Sequence, residues 1–201
     1  MKTLSWMGRT AVATACLAVT VVTSQLPAYA LDATGDAPQA SGTTLVLNGA
    51  GARLGTTTYL YSARLYLEHK TTDPHAILQN LDTTQFRMTM LQDASTKDIF
   101  ELISQGIVAN ASDDDLMTLV SEIFDVGVML SEQGKLLAGD SIEIDSHPAA
   151  GTTLTIRSRS QNAPITQTFA NPRLFKVMLG IWLGDRPADP ALKQALLGQP
   201  I

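Results

Sequence analysis

The stretch LNGAGARLGTTTYLYSARLYLE, from Leu47 to Glu68, decides how the rest of the chain is interpreted. It places one cation, Arg53, between a glycine-rich segment and a segment rich in threonine and tyrosine. Arginine keeps its charge at every accessible pH. TTLVLN predicts a short strand that ends in a turn over Gly49–Gly51, and TTTYLYSARLYLE predicts a longer strand over residues 56–68. Arg53 is therefore expected near the start of a strand.

The tyrosines that follow Arg53 are its candidate partners. Because strand side chains alternate between two faces, Tyr59 and Tyr61 are expected on one face and Tyr66 on the other. Arg53 and a phenol at the wall of a cavity would form a charge-assisted clamp for a carboxylate or an enolate, and apolar walls would hold the remainder of the ligand. The simpler alternative is that Arg53 projects into solvent or pairs with one of the nineteen acidic residues.

The rest of the pattern mixes strands and helices within one domain. FRMTML, residues 86–91, predicts a third strand, and STKDIFELISQGIVAN predicts a helix capped by Ser95. SDDDLMTLVSEIFDVGVML predicts a second helix that begins at Ser112 and carries its aspartates in the first turn. SIEID, TTLTIRS and PITQTFA predict a three-stranded meander. Two helices follow, one capped by Asn171 and one starting at Pro190. This order predicts an α+β fold.

The N-terminal thirty residues have the features of a secretory signal peptide. A basic segment, MKTLSWMGRT, precedes the apolar run AVATACLAVTVV, and TSQLPAYA ends with small residues at Ala28 and Ala30. We expect cleavage after Ala30, a flexible lead over residues 31–43 and one domain over residues 44–201. The apolar run is too short to cross a bilayer comfortably, so no stable membrane span is expected after the signal is removed. These features predict an exported, periplasmic protein, with an uncleaved anchor as the alternative.

The composition excludes several classes of function. Removal of residues 1–30 takes away two basic residues and the only cysteine, which leaves an acidic chain. Nucleic-acid binding is disfavoured because it requires clustered lysine and arginine. Without cysteine, the mature chain has no disulfide, no thiolate metal site and no cysteine nucleophile. His69, His75 and His147 are isolated and lack metal-ligand spacing, so neither a metal site nor a cofactor is expected.

Four segments together resemble the bacterial chalcone isomerase-like family. They are LNGAGAR, YSARLYLE, GDSIEI and the ending LFKVMLGIWLGDRPADPALKQALLG. The resemblance covers nearly all of Leu45–Gly198 in the same order. It implies the chalcone isomerase fold, an open-faced β-sandwich in which a large antiparallel sheet carries a layer of helices on one face. The α+β pattern inferred from the residues agrees with this fold.

The residues aligned with the catalytic positions of chalcone isomerases argue against flavonoid cyclisation by this chain. Chalcone isomerases carry an arginine in a GGAGxRG motif, which Arg53 matches, and their threonine in the next strand aligns with Tyr61. Their helix tyrosine and asparagine align with Ile99 and Gly106, and a later serine or threonine aligns with Ile181. Flavonoid cyclisation requires oriented hydrogen bonds to a developing enolate. Isoleucine and glycine side chains cannot donate those bonds.

The family's non-catalytic relatives suggest a binding role. In relatives that bind fatty acids, an arginine and a tyrosine hold the carboxylate above an apolar cavity, and Arg53 and Tyr61 occupy the matching places, with Tyr59 as a further candidate. The resemblance therefore implies a fatty-acid-like ligand, small and apolar or amphipathic, in a cavity next to Arg53. Three alternatives stay open: an isomerase or lyase that uses Arg53, an envelope interaction protein without a ligand, and haem bound through His69, His75 or methionine residues.

Overall fold

The computed structural model describes residues 39–40, 43–79 and 82–200. The predicted signal peptide and most of the predicted lead lie outside the described residues. Where the described part begins, two short strands at Gln39–Ala40 and Thr43–Thr44 pair with each other. No helix of the described part is both long and apolar enough to span a bilayer.

The described chain contains ten strands and six helices. The strands are β1 (Gln39–Ala40), β2 (Thr43–Thr44), β3 (Val46–Leu54), β4 (Tyr59–Leu67), β5 (Thr84–Met90), β6 (Ala94–Ser95), β7 (Lys135–Leu136), β8 (Ser141–His147), β9 (Gly151–Arg157) and β10 (Ile165–Phe169). The helices are α1 (Pro74–Gln79), α2 (Thr96–Asn110), α3 (Asp113–Thr118), α4 (Val120–Ser131), α5 (Arg173–Leu183) and α6 (Pro190–Leu196). Six strands form one antiparallel sheet in the spatial order β10-β9-β8-β5-β4-β3. The strands β1 and β2 form a separate pair, as do β6 and β7.

One face of the six-stranded sheet is apolar and carries the helices. Ala63, Met88 and Ile142 are neighbours across β4, β5 and β8, and all three are buried. Helix α5 lies over this face, where the Trp182 ring stacks on the Phe86 ring with the ring centroids 4.1 Å apart. Helix α2 packs on α5, and buried residues of α4 and α6 belong to the same core. The predicted α+β architecture is therefore confirmed.

The opposite face of the sheet carries polar and charged side chains. The buried Glu143 carboxylate pairs with the Nε atoms of Arg87, at 3.2 Å, and Arg157, at 3.1 Å. On the same face, burial raises the pKa of the Asp145 carboxyl, although a hydrogen bond from Gln85 partly opposes that effect. This face therefore carries paired charges, and the apolar core lies on the opposite face of the sheet.

The predicted turn over Gly49–Gly51 is wrong, because β3 continues through these glycines to Leu54. Helix α6 supplies the reason. A Cβ atom at Gly51 would lie 2.7 Å from the Cβ of Ala195, and one at Gly49 would overlap the Ala195 carbonyl oxygen. Glycine in a strand permits such a close approach of another backbone. The two glycines therefore mark a contact with α6, and Arg53 lies inside a strand.

The helix starts at Ser95 and Ser112 are confirmed. The Ser95 Oγ atom accepts a hydrogen bond from the backbone of the third residue that follows it, and Ser112 does the same. The helix predicted from Ser112 is divided at Leu119, whose φ of −106° and ψ of 10° interrupt the helical geometry. The side chain of Leu119, the residue that follows α3, is fully buried in the core, whereas no residue of α3 itself is buried. The cap predicted at Asn171 is also confirmed, because the Asn171 Oδ1 atom accepts a hydrogen bond of 3.1 Å from the Arg173 backbone nitrogen and Pro172 follows it with helical angles.

Candidate functional site

Arg53 and Tyr61 are neighbours on adjacent strands. Arg53 in β3 lies directly opposite Tyr61 in β4, and the register of the two strands shifts immediately after this pair. Tyr61 is completely buried, whereas Arg53 is partly buried. The predicted pairing of a guanidinium with a phenol is therefore present in the geometry. What these two groups bind stays a prediction.

Helix α5 holds the Tyr61 hydroxyl in place. Trp182 Nε1 donates a hydrogen bond of 2.9 Å to the Tyr61 oxygen. Burial raises the pKa of Tyr61, and both the bond from Trp182 and the nearby positive charge of Arg53 act against that increase. The phenol consequently stays protonated at neutral pH and can donate its own hydrogen.

One buried donor at this place has no hydrogen-bond acceptor in the described chain. The Arg53 Nη1 atom is buried and has no hydrogen-bond partner there. The Tyr61 oxygen accepts the hydrogen bond from Trp182, and Arg53 lies close enough to the phenol to lower its pKa. A buried donor without a partner costs about 1–3 kcal/mol. An oxygen anion placed between Arg53 and Tyr61 would give the Arg53 Nη1 donor an acceptor.

Asp189 and Tyr59 lie near this pair but differ from it in environment. The Asp189 carboxylate is close enough to Tyr61 to raise the phenol's pKa slightly. Its Oδ1 atom accepts hydrogen bonds from the backbone nitrogens of Ala191 and Leu192, so it serves as the cap of α6. Tyr59 lies opposite Leu54, beyond the shift in register, and is partly exposed. The role predicted for Tyr59 remains a prediction.

A family model described as chalcone isomerase-like matches residues 32–198. The chain belongs to the chalcone isomerase-like family. Among solved structures, the chain is similar to a fatty-acid binding protein of Arabidopsis thaliana, with a TM-score of 0.57 and 12% sequence identity. The match covers 80% of this chain and 90% of the plant protein. At that identity the likeness shows the fold alone, and it confirms the predicted open-faced chalcone isomerase fold. The search of curated proteins gave no match.

The positions aligned with catalytic residues of chalcone isomerases are filled by packed apolar groups in this family member. Ile99 and Ile181 are buried in the core, and Gly106 is buried on α2. A Cβ atom at Gly106 would lie 2.5 Å from Cγ2 of Ile181. Helices α2 and α5 therefore touch where the aligned residues of the isomerases carry polar side chains. This contact leaves no room for an asparagine side chain at Gly106.

Replacement of Gly106 by asparagine is expected to destabilise the fold by about 1–3 kcal/mol, because the added atoms overpack the contact between α2 and α5. Urea denaturation followed by circular dichroism would measure the change. Gly134→Asn is the matched control, because Gly134 has a φ of 63° that asparagine tolerates and no atom lies within 4 Å of a Cβ placed there. Equal stability of Gly106→Asn and the control would contradict the close contact with Ile181.

Three cavities of the described chain lie away from Arg53. One of about 230 Å³ lies beside Leu67 and His69, one of about 130 Å³ lies beside Asn110 and Lys176, and one of about 380 Å³ lies between α2 and α4. Arg53 lines none of these three cavities, so the cavity predicted next to it remains a prediction. Within the described ranges, no three histidine, aspartate or glutamate side chains come together as a metal cluster.

Trp182 is the residue of this site that sequence reasoning missed. Trp182 lies in the segment IWLG, within the C-terminal ending that resembles the family. A usable signal exists, because buried tryptophan and tyrosine side chains need partners for their polar atoms. The bond joins residues 121 positions apart, so the spacing along the sequence does not indicate it.

Proposed function

We propose that this protein is exported and binds a fatty-acid-like ligand whose carboxylate contacts Arg53 and Tyr61. The observation that carries the proposal is the Arg53 side chain beside the Tyr61 phenol, because its buried Nη1 atom has no hydrogen-bond partner in the described chain. Charge-assisted hydrogen bonds to a carboxylate are about twice as strong as neutral ones, and an arginine can supply two of them. A carboxylate therefore matches this pair better than a neutral group.

Three further observations support binding over catalysis. The helix positions that carry polar side chains in chalcone isomerases are occupied here by Ile99 and Gly106, and Ile181 fills the space between the helices. The solved structure with the same fold is described as a fatty-acid binding protein. The Tyr61 phenol has a raised pKa, which suits a hydrogen-bond donor and does not suit a general base at neutral pH.

The ligand requires a local rearrangement around Trp182. The indole of Trp182 contacts the Tyr61 oxygen and the Phe86 ring on the apolar face of the sheet, which is the side an acyl chain would occupy. A ligand that reaches Tyr61 from this side displaces the indole or shifts it. Residues 31–201 contain one tryptophan, so the fluorescence of Trp182 would report ligand entry directly.

Arg53→Ala is expected to weaken the binding of palmitate by about ten- to hundredfold, because hydrogen bonds to charged groups contribute about 1.5–3 kcal/mol. Titration of the mature protein with palmitate, followed by Trp182 fluorescence, would measure the change. Arg173→Ala is the matched control, since it removes an exposed arginine at the far end of α5. Unchanged affinity in Arg53→Ala, or an equal loss in both variants, would contradict the proposed clamp.

Native mass spectrometry tests the proposal without assuming a ligand. The full chain, including residues 1–30, would be expressed and the protein isolated from the periplasmic fraction. We expect a mass that corresponds to cleavage after Ala30 and a bound species carrying a carboxylate. Recovery of the uncleaved chain from the cytoplasm would contradict export. A haem mass or an absent ligand would contradict the proposed ligand class.

A further inference from the structure

Helices α2 and α4 form a groove of about 380 Å³ between them. Its apolar walls are Phe100 of α2 and Phe124 and Val128 of α4. Small-molecule sites usually have volumes of about 300–1,000 Å³, so the groove is large enough for a small ligand. Arg53 does not line it, so it is separate from the site described above. We name it the α2–α4 groove.

Two phenyl rings of the α2–α4 groove are available to a flat ligand. A Cβ atom at Gly127 would lie 2.9 Å from the Phe100 ring, so the glycine allows that ring to lie close against α4. Phe124 keeps 68% of its surface exposed. Within the described residues, Phe100 and Phe124 do not form a stacked pair with each other. An aromatic ring in the groove can therefore contact both without breaking an existing stack.

One lysine gives the α2–α4 groove its charge. Lys97 lines the groove, and no aspartate or glutamate lines it. In the part of the chain that the structure describes, no carboxylate forms an ion pair with the Lys97 ammonium. Lys97 is also the second residue of α2, a helix of 15 residues, so the positive end of the helix dipole lies at the groove. The groove therefore attracts an anion.

The carboxylates of α2 and α4 lie away from the groove. Phe100 of α2 and Gly127 of α4 mark the sides on which the two helices face each other. Successive residues of an α-helix are rotated by about 100°, so Glu101 lies about 100° from Phe100, whereas Lys97 lies about 60° from it. By the same geometry, Glu122 is the acidic residue of α4 nearest to the side of Gly127, and it lies about 140° away. An anion bound in the groove therefore faces the lysine and not these carboxylates.

We propose that the α2–α4 groove binds a small aromatic carboxylate, with its carboxylate on the Lys97 ammonium and its ring against Phe100 and Phe124. Charge selects an anion, because a basic ligand would place its own charge beside Lys97 and a neutral ligand would leave that charge without a partner. The two rings favour an aromatic body over an acyl chain, since aromatic rings gain from offset or edge-to-face contacts with each other. This inference is independent of the ligand proposed at Arg53.

The test adds naphthalene-2-carboxylate to the isotope-labelled mature protein and follows the backbone amide signals of Lys97 and Gly127 by NMR. We expect saturable shifts of both signals, with an affinity that falls when the salt concentration rises from about 50 to about 300 mM. Naphthalene-2-methanol keeps the ring without the charge, and decanoate keeps the carboxylate without the ring. We expect each of these two compounds to bind at least about fivefold more weakly than naphthalene-2-carboxylate.

Lys97→Gln and Phe124→Ala each remove one contact from an exposed position. We expect each to weaken the binding of naphthalene-2-carboxylate by about tenfold, because the first removes a charge-assisted hydrogen bond and the second removes one of the two rings. Lys70→Gln is the matched control for the charge, since Lys70 is an exposed lysine that lines a different cavity. Val108→Ala is the control for the apolar contact, since Val108 is exposed on α2 and does not line the groove. Both controls and Arg53→Ala should bind within about twofold of the unsubstituted protein.

Several outcomes would overturn the proposal. Absence of saturable shifts at about 5 mM naphthalene-2-carboxylate, or unchanged affinity in Lys97→Gln, would refute the site. Binding of decanoate as tight as that of the aromatic acid would refute the aromatic ligand class. Loss of the shifts in Arg53→Ala would assign the probe to the site at Arg53. Dimerisation in sedimentation velocity that Phe124→Ala abolishes would assign the groove to a second copy of the chain.

Discussion

Trp182→Ala is expected to lower the free energy of unfolding by about 3–5 kcal/mol, the range found for large aromatic side chains truncated in cores. The indole is 98% buried, it stacks on Phe86, and its Nε1 donates to the Tyr61 hydroxyl. Its removal leaves a cavity between α5 and the sheet. The Tyr61 oxygen also loses the hydrogen bond that it accepts from Trp182 in the core. Urea denaturation followed by far-UV circular dichroism would measure the loss, because the fluorescent reporter is absent from this variant.

Trp182→Phe divides this effect into its parts. Phenylalanine keeps a ring to stack on Phe86 and loses the N–H donor, so we expect a smaller loss of about 1–2 kcal/mol. A loss in Trp182→Ala no larger than that in Trp182→Phe would contradict the inference that α5 packs on the sheet mainly through this indole.

Asp140→Ala is expected to cost about 3 kcal/mol, because it leaves several donors without an acceptor. Asp140 is completely buried before β8. Its Oδ2 atom accepts from the backbone nitrogen of Leu137 at 2.9 Å and from Ser158 Oγ at 3.1 Å. Its Oδ1 atom accepts from the backbone nitrogen of Arg159 at 2.8 Å. The carboxylate thus joins the segments before β8 and after β9. Differential scanning calorimetry and urea denaturation would both measure its removal.

Asp125→Ala provides the control for Asp140→Ala. Asp125 is exposed on α4, and surface substitutions of this kind change stability by about 0.5 kcal/mol or less. Asp140→Asn should fall between the two, since its amide retains one acceptor oxygen. Similar stability of Asp140→Ala and Asp125→Ala would refute the role of this carboxylate as a link between the two segments.

The elements that the sequence predicted well are those with local signals. Ser95 and Ser112 satisfy backbone donors only three residues away, so the cap and its helix are visible together in a short window. The strands β8, β9 and β10 follow one another through short turns, and their alternation of apolar and polar residues is set by the sheet they form. Helix caps and consecutive strands depend on residues that are close in sequence, so a short window of sequence is enough to predict them.

The errors arose where a distant part of the chain sets the local structure. Gly49 and Gly51 have the composition of a turn, but they form part of a strand because Ala195 packs against them. A distant part of the chain also determines the surroundings of the candidate site, because Trp182 lies 121 positions from Tyr61. The alternation of the strand made the tyrosines after Arg53 its candidate partners, and the family resemblance selected Tyr61 among them. Neither signal indicated that Trp182 covers the phenol.

The contact between β3 and α6 has a consequence for the order of folding. The Asn48 amide donates to the Leu196 carbonyl at 2.8 Å, and its oxygen accepts from the Thr71 backbone at 2.9 Å. The first of these bonds spans 148 positions. Long-range contacts of this kind slow folding, because the chain must close a large loop before they form. The edge of the sheet at β3 is therefore completed only after α6 has been synthesised, and a nascent chain that lacks α6 stays incompletely folded.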